Sequence, residues 1–137
     1  LISYIKVNTS KKMEGNNLKS DVRDVIAYIA GAYLYNKKAG SVYSYETGSY
    51  QQISGKFTDK KINVYDYRIN KYISGTGKND DFSLYHYGNN KHINIKFKGN
   101  KFEGYDYDSN KHFSGTVNNR SVTLYDYETS KYYDYSI

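Results

Sequence analysis

The sequence predicts a mainly β fold: an antiparallel meander of about ten strands, curled or closed like a barrel, with one N-terminal amphipathic helix on or inside its aliphatic face. Three observations predict it. Residues recur at a fixed 20-residue interval, each interval alternates aliphatic and tyrosine positions, and one stretch of helical spacing precedes the repeats.

The period comes first. Tyr65, Tyr85, Tyr105 and Tyr125 are each 20 residues apart, and so are Tyr67, Tyr87, Tyr107 and Tyr127. The segments read VYDYRINKYISG, LYHYGNNKHINI, GYDYDSNKHFSG and LYDYETSKYYDY. An earlier copy, VYSYETGSYQQISG, carries two extra residues after its turn, and two residues preserve strand parity. Units this short bury surface only against their neighbours, so the copies must pack side by side.

Within a unit the pattern has period 2. Phe82 and Leu84 fall on one face, and Ser83, Tyr85 and Tyr87 on the other. Four-residue connections follow, such as Arg68-Ile69-Asn70-Lys71 and Gly88-Asn89-Asn90-Lys91, with Asn at the third position suited to a left-handed residue. This loop length sets Tyr67 opposite Tyr72, Tyr45 opposite Tyr50, Tyr87 opposite His92, Tyr107 opposite His112 and Tyr127 opposite Tyr132. Units join through tight turns at Asp59-Lys60, Asn79-Asp80, Gly99-Asn100 and Asn119-Arg120, where Asn, Asp or Gly favours the primed hairpin turns. That register pairs Phe57 with Ile62, Phe97 with Phe102 and Val117 with Val122. Gly55, Gly75 and Gly115 recur on the aliphatic side, where glycine marks a bend or a close approach.

Dimensions decide against a flat sheet. Ten strands about 4.8 Å apart span roughly 45 Å, whereas a 17-residue helix is about 25 Å long and 10 Å thick. Either the sheet wraps the helix or a second chain covers the remainder.

The helix is expected over about residues 18–36, with apolar side chains at Leu18, Val22, Val25, Ile26, Ile29, Ala30, Tyr33 and Leu34. Ser20, Asp21 and Asp24 suit its N-terminus, and Lys37, Lys38 and Gly40 its C-terminus. Gly31 lies beside the stripe, where a neighbour could approach closely. Residues 1–10 read as an extra strand and 11–17 as a loop. The expected organisation is one domain, 1–137, with an N-terminal segment over 1–40 and five hairpin repeats over 41–137.

Composition bounds the chemistry. The 137 residues include no Cys, Pro or Trp, so neither a disulfide nor a thiolate metal site is possible. No apolar run is long enough for a transmembrane helix, and no signal peptide is legible. The net charge of +6 is uneven. Residues 1–40 hold seven Lys/Arg against three acids, and residues 41–137 hold 13 against 11.

The tyrosine ladder is the candidate binding surface: Tyr65, Tyr67, Tyr72, Tyr85, Tyr87, His92, Tyr105, Tyr107, His112, Tyr125, Tyr127 and Tyr132. Aromatic rings stack on sugars or bases, and the phenol adds a hydrogen bond. The same rows also stabilise a sheet through cross-strand pairing. His92 and His112 occupy the slot of Tyr72 and Tyr132 and read as ladder members rather than metal ligands. Asp66, Asp106 and Asp126 share parity with the aliphatic face and sit where a carboxylate caps the turn; His86 takes the same slot. No phosphate loop or nucleophile motif is present. The expectation is therefore a non-enzymatic, cofactor-free and metal-free module that binds a glycan, a protein partner or itself. Alternatives are a nucleic-acid binder using Tyr and Lys, and a small-ligand carrier in a barrel. A secreted or cell-surface setting is expected over a cytoplasmic one.

In its period, the aromatic hairpin unit resembles the wall-binding and toxin repeats of Gram-positive bacteria and, loosely, the membrane-occupation hairpin repeats. The former carry Trp-Tyr or Tyr-Tyr-Phe signatures and the latter a regular Gly spacing, neither of which this chain has. The resemblance carries no binding residue over to this chain.

Overall fold

The computed structural model describes residues 20–137, so the strand expected over 1–10 and the loop over 11–17 lie outside the described residues. Helix α1 covers residues 20–34. Ten strands follow: β1 (Ser41–Ser44), β2 (Ser49–Phe57), β3 (Lys61–Asp66), β4 (Lys71–Lys78), β5 (Asp81–His86), β6 (Lys91–Lys98), β7 (Lys101–Asp106), β8 (Lys111–Asn118), β9 (Ser121–Asp126) and β10 (Lys131–Ser136). Each strand pairs antiparallel with the next, and β1 returns to β10, with Tyr43 opposite Ser136, so the sheet is a closed barrel. Closure leaves no free edge.

The size of the barrel explains where α1 goes. Ten strands about 4.8 Å apart and tilted about 40° give a wall radius of about 10 Å. A helix with a radius of about 5 Å leaves room between its surface and the wall for one interdigitated layer of side chains. Every residue from Val22 to Tyr33 is buried, on all sides of the helix. α1 therefore runs through the lumen. From Val22 to Tyr33 the stripe expected from the sequence is buried, its first member Leu18 lying outside the described residues, and off it stand the small Ala27, Gly31 and Ala32 together with Arg23, Asp24 and the large Tyr28. Gly31 is a contact point, because a Cβ there would stand 2.9 Å from the Ile137 Cβ and 3.0 Å from Val122. At the helix end the N–H groups of Tyr35 and Asn36 donate to the Gly31 carbonyl, and Lys37 Nζ donates to the Tyr33 carbonyl at 3.2 Å.

The expected turns hold in most copies. Asn79 and Asp80 both have positive φ (54° and 61°), as a primed two-residue turn requires, and Gly99 and Asn119 are positive at the first position. The Asp59-Lys60 turn has no such residue; there Thr58 Oγ1 accepts the N–H groups of Lys60 and Lys61. The pairs Phe57–Ile62, Phe97–Phe102 and Val117–Val122 are as read from the sequence.

The register of the four-residue loops is corrected by two residues. Tyr65, not Tyr67, faces Tyr72, and likewise Tyr43 faces Tyr50, Tyr85 faces His92, Tyr105 faces His112 and Tyr125 faces Tyr132. The loop is residues 67–70, starting on a tyrosine. Asn70, Asn90, Asn110 and Ser130 then stand at the fourth loop position with φ between 53° and 58°. Asn90, Asn110 and Ser130 donate their N–H to the carbonyl four residues earlier. A shift of two changes no face, which is why the burial pattern read from the sequence survives.

The inner wall follows a volume rule. In one layer of cross-strand pairs, each pair joins a glycine to a large aliphatic residue: Gly55–Val64, Gly75–Leu84, Ile95–Gly104 and Gly115–Leu124. The third pair is reversed between strands, yet it keeps the same content. The glycines have no space for a side chain; a Cβ on Gly75 would fall 1.9 Å from the Ser83 carbonyl oxygen and one on Gly104 2.0 Å from that of Asn94.

Candidate functional site

The outer wall carries the tyrosines as five discrete triads, one per hairpin, all at the end of the barrel that holds the four-residue loops. A central ring, Tyr43, Tyr65, Tyr85, Tyr105 or Tyr125, touches the residue two further along its strand and the residue opposite on the next strand. The cross-strand correction is what makes this a triad rather than a row. Centroids lie 4.7–5.0 Å apart with the rings edge to face, as in Tyr65 with Tyr67 and Tyr72, or Tyr85 with Tyr87 and His92. His92 also reaches Tyr107 of the next unit at 6.4 Å, linking two triads. His92 and His112 thus sit as ladder members. Among the described residues no group of His, Asp and Glu could hold a metal ion.

Packing accounts for the central ring of each triad. Each edge-to-face pair contributes about 0.5–1.5 kcal/mol beyond its buried area, and each central ring makes two. The flanking rings are different. Tyr67, Tyr72, Tyr87, Tyr107, Tyr127 and Tyr132 each pack against a central ring on one side and remain 44–71% exposed. Lys71, Lys91, Lys111 and Lys131 directly precede the cross-strand aromatic in four of the five units.

Between triads the outer wall forms shallow grooves. One crosses β6 to β10. Tyr125, Tyr127 and Tyr132 stand at one side, Ser114, Thr116 and Thr123 form its floor, and Lys96, Lys98, Lys101 and Glu103 close the other side. A neighbouring groove runs beside Tyr105, His112 and Tyr127 over Asn94 and Ser114. Flat rings beside hydroxyl and amide groups provide stacking and directional hydrogen bonds together.

Beneath the belt, pointing inward, lies a polar mouth. Asp66, Asp106 and Asp126 accept the backbone N–H two residues on, at 3.0, 3.0 and 2.9 Å, and His86 Nδ1 accepts that of Gly88 at 3.0 Å. These are the turn caps expected from their parity. Ser44 fills the slot in the first unit, accepting from Thr47 at 3.4 Å.

The mouth also grips α1, which sequence reading did not reveal. Arg68, on the β3–β4 loop, donates to Asp66 at 2.9 Å, to Asp24 at 2.9 Å and to Asp21 at 2.8 Å. Arg23, on the helix, donates to Asp126 and Glu46 at 3.2 Å each and lies 4.0 Å over the Tyr133 ring. Asp21 and Asp24, expected as helix-terminal charges, are instead ligands of Arg68. Burial pushes the Asp24 carboxyl up to about 6 against the opposing pull of Arg68, and burial likewise raises Asp21 and Asp106. Burial holds the His86 imidazole below its ordinary value, which suits a ring that accepts a hydrogen bond at Nδ1.

No family model, curated protein or solved structure matches this chain.

Tyr43, Tyr45 and Tyr50 form a fifth triad; the sequence reading recognised this copy and paired Tyr45 with Tyr50 but left its rings out of the candidate surface. The lysine-rich rim of the β6–β10 groove was also missed. Its signal is that this one unit carries Lys96, Lys98 and Lys101 where the following unit has Thr116, Asn118 and Ser121.

Proposed function

We propose that this chain is a non-catalytic, multivalent glycan-binding module whose contacts are the exposed rings of the outer triads and the grooves between them. The observation that carries this reading is the five-fold recurrence of one aromatic triad around the outer wall, with its flanking rings half in solvent. A repeating ligand met by a repeating site gains avidity without a deep pocket, because each added contact is intramolecular. The lumen supports the outer wall over a carrier role, since α1 occupies the space a carried ligand would need.

Binding to immobilised polysaccharides tests the proposal. Tyr127→Ala with Tyr132→Ala removes two rings from one groove and lowers retention, while matched changes in a second unit lower it further. Retention unaffected by any triad, or no retention on any polysaccharide, would overturn it.

One observation favours a second reading, nucleic-acid binding: the lysine beside the cross-strand aromatic in four units. The near-balanced charge of the repeats argues against it. A steep loss of oligonucleotide affinity between low and moderate salt would establish it, and no binding at low salt would eliminate it.

A further inference from the structure

The outer wall breaks a rule of sheet pairing at one place. Where the two-residue turns join units, the residues flanking the turn are direct cross-strand partners. Lys78 faces Asp81, an opposite-charge pair, and Asn118 faces Ser121, a neutral one. At the Gly99-Asn100 turn, Lys98 faces Lys101. Like charges directly opposite one another destabilise an antiparallel pair. The neighbouring carboxylates face Lys96 instead. Lys96 stands opposite Asp81 on one side and Glu103 on the other, and its ammonium lies 3.6 Å from the Glu103 carboxylate. Among the described residues neither Lys98 nor Lys101 makes an ion pair. A repeat that places an acid here in another copy carries instead two adjacent, exposed cations at the rim of an aromatic groove. Local rules of this kind are broken chiefly at functional or strained positions.

We propose that Lys98 and Lys101 form an anion-recognising subsite of the β6–β10 groove, so that its ligand is an acidic glycan of the uronic acid class. This rests on the glycan-binding reading. The sugar rings stack on Tyr125, Tyr127 and Tyr132, the hydroxyls meet Ser114, Thr116 and Thr123, and a carboxylate lies between the two ammonium groups. The near-balanced charge of the repeats, 13 Lys/Arg against 11 acids over residues 41–137, favours this ligand over a nucleic acid.

The test compares polygalacturonate fragments, the same fragments reduced to their neutral galactan form, and a single-stranded oligonucleotide, each titrated against the full chain. The acidic fragments bind roughly tenfold tighter than the neutral ones at low salt, as two exposed charge contacts allow, and the difference shrinks as salt rises. Lys101→Asp, which copies the Lys78–Asp81 pair, abolishes the preference for the acidic fragments and leaves the thermal midpoint equal or higher. That combination separates loss of the subsite from loss of the fold. Equal affinity for acidic and neutral fragments, or a preference that survives Lys101→Asp, overturns the subsite alone. An oligonucleotide that binds tighter than the uronate overturns it in favour of nucleic acid. If neither fragment binds, the glycan reading fails with it.

Discussion

The two faces of the same strands obey different rules. Inside, residue identity varies and volume is kept: Gly75 with Leu84 becomes Ile95 with Gly104 two strands on, and the wall still closes on α1. Outside, volume is unconstrained, yet tyrosine recurs at fixed slots in every unit and gives way only to His92 and His112. Packing explains the first face because a filled lumen responds to every methylene. It explains the central rings of the second, which make two ring contacts each, more fully than the flanking rings, which stay about half in solvent. The inner face is therefore what the fold requires, and the flanking outer rings are what remains after the fold is accounted for.

The sharpest way to break this comparison is to undo one inner pair. Ile95→Gly leaves a cavity beside Gly104 and costs about 4 kcal/mol. Gly104→Leu alone drives its Cβ into the Asn94 carbonyl and is at least as costly. The double variant recovers only the part of the summed loss that comes from side-chain volume, because the Asn94 carbonyl still meets the new Cβ. Strictly additive losses in urea unfolding would show that the pair is not a volume unit.

The mouth gives the next largest effect. Arg68→Leu strands Asp66 and Asp24 without their shared partner and lowers stability by about 3–5 kcal/mol. Circular dichroism melts would show it as a large drop in Tm. A change below 1 kcal/mol would mean that the mouth does not anchor α1.

Acid then acts on the same cluster with a definite sign. The folded-state carboxyl of Asp24 titrates at about 6, above its unfolded value, so the folded chain keeps a proton there that the unfolded chain has released. Between pH about 6 and about 4 this group adds stability as pH falls, on the order of 2 kcal/mol. Asp21 and Asp106 act in the same direction. His86, held below its ordinary value, acts in the opposite one, since its neutral form is the folded one. Asp24→Asn removes the largest of the acid-favouring contributions. Wild type therefore gains stability relative to Asp24→Asn on acidification from pH 6 to pH 4, and parallel curves would refute the assignment.

The smallest stability effect belongs to the outer face. Tyr127→Ala changes stability by about 0.5–1 kcal/mol, since it deletes one edge-to-face pair. Its effect on polysaccharide retention is larger than its effect on Tm. The reverse order would reduce the belt to sheet packing.

How much of this was legible before folding depends on the range of each interaction. Parity was legible because alternation is a property of adjacent residues, so Phe82, Leu84 and Tyr85 went to their correct faces. The caps at Asp66, Asp106 and Asp126 were legible for the same reason: each bonds two residues away. The hairpin register was legible only to within two residues, because loop residues and strand ends look alike until the turn hydrogen bonds form. The first copy was legible despite its insertion, because two added residues keep strand parity. The Lys98–Lys101 pair was present in the sequence, but its meaning depends on which lysine faces which.

The sequence alone determined the strands, their faces, the turn residues and the helical stripe, all local patterns set by periods of 2 and 3.6 residues. The tertiary structure alone decided that β1 meets β10, that α1 lies in the lumen, and that Arg68 reaches Asp24 across 44 positions. Those are long-range choices. They follow from closing a ten-stranded wall at a radius that a single helix fills, and no local pattern encodes a radius.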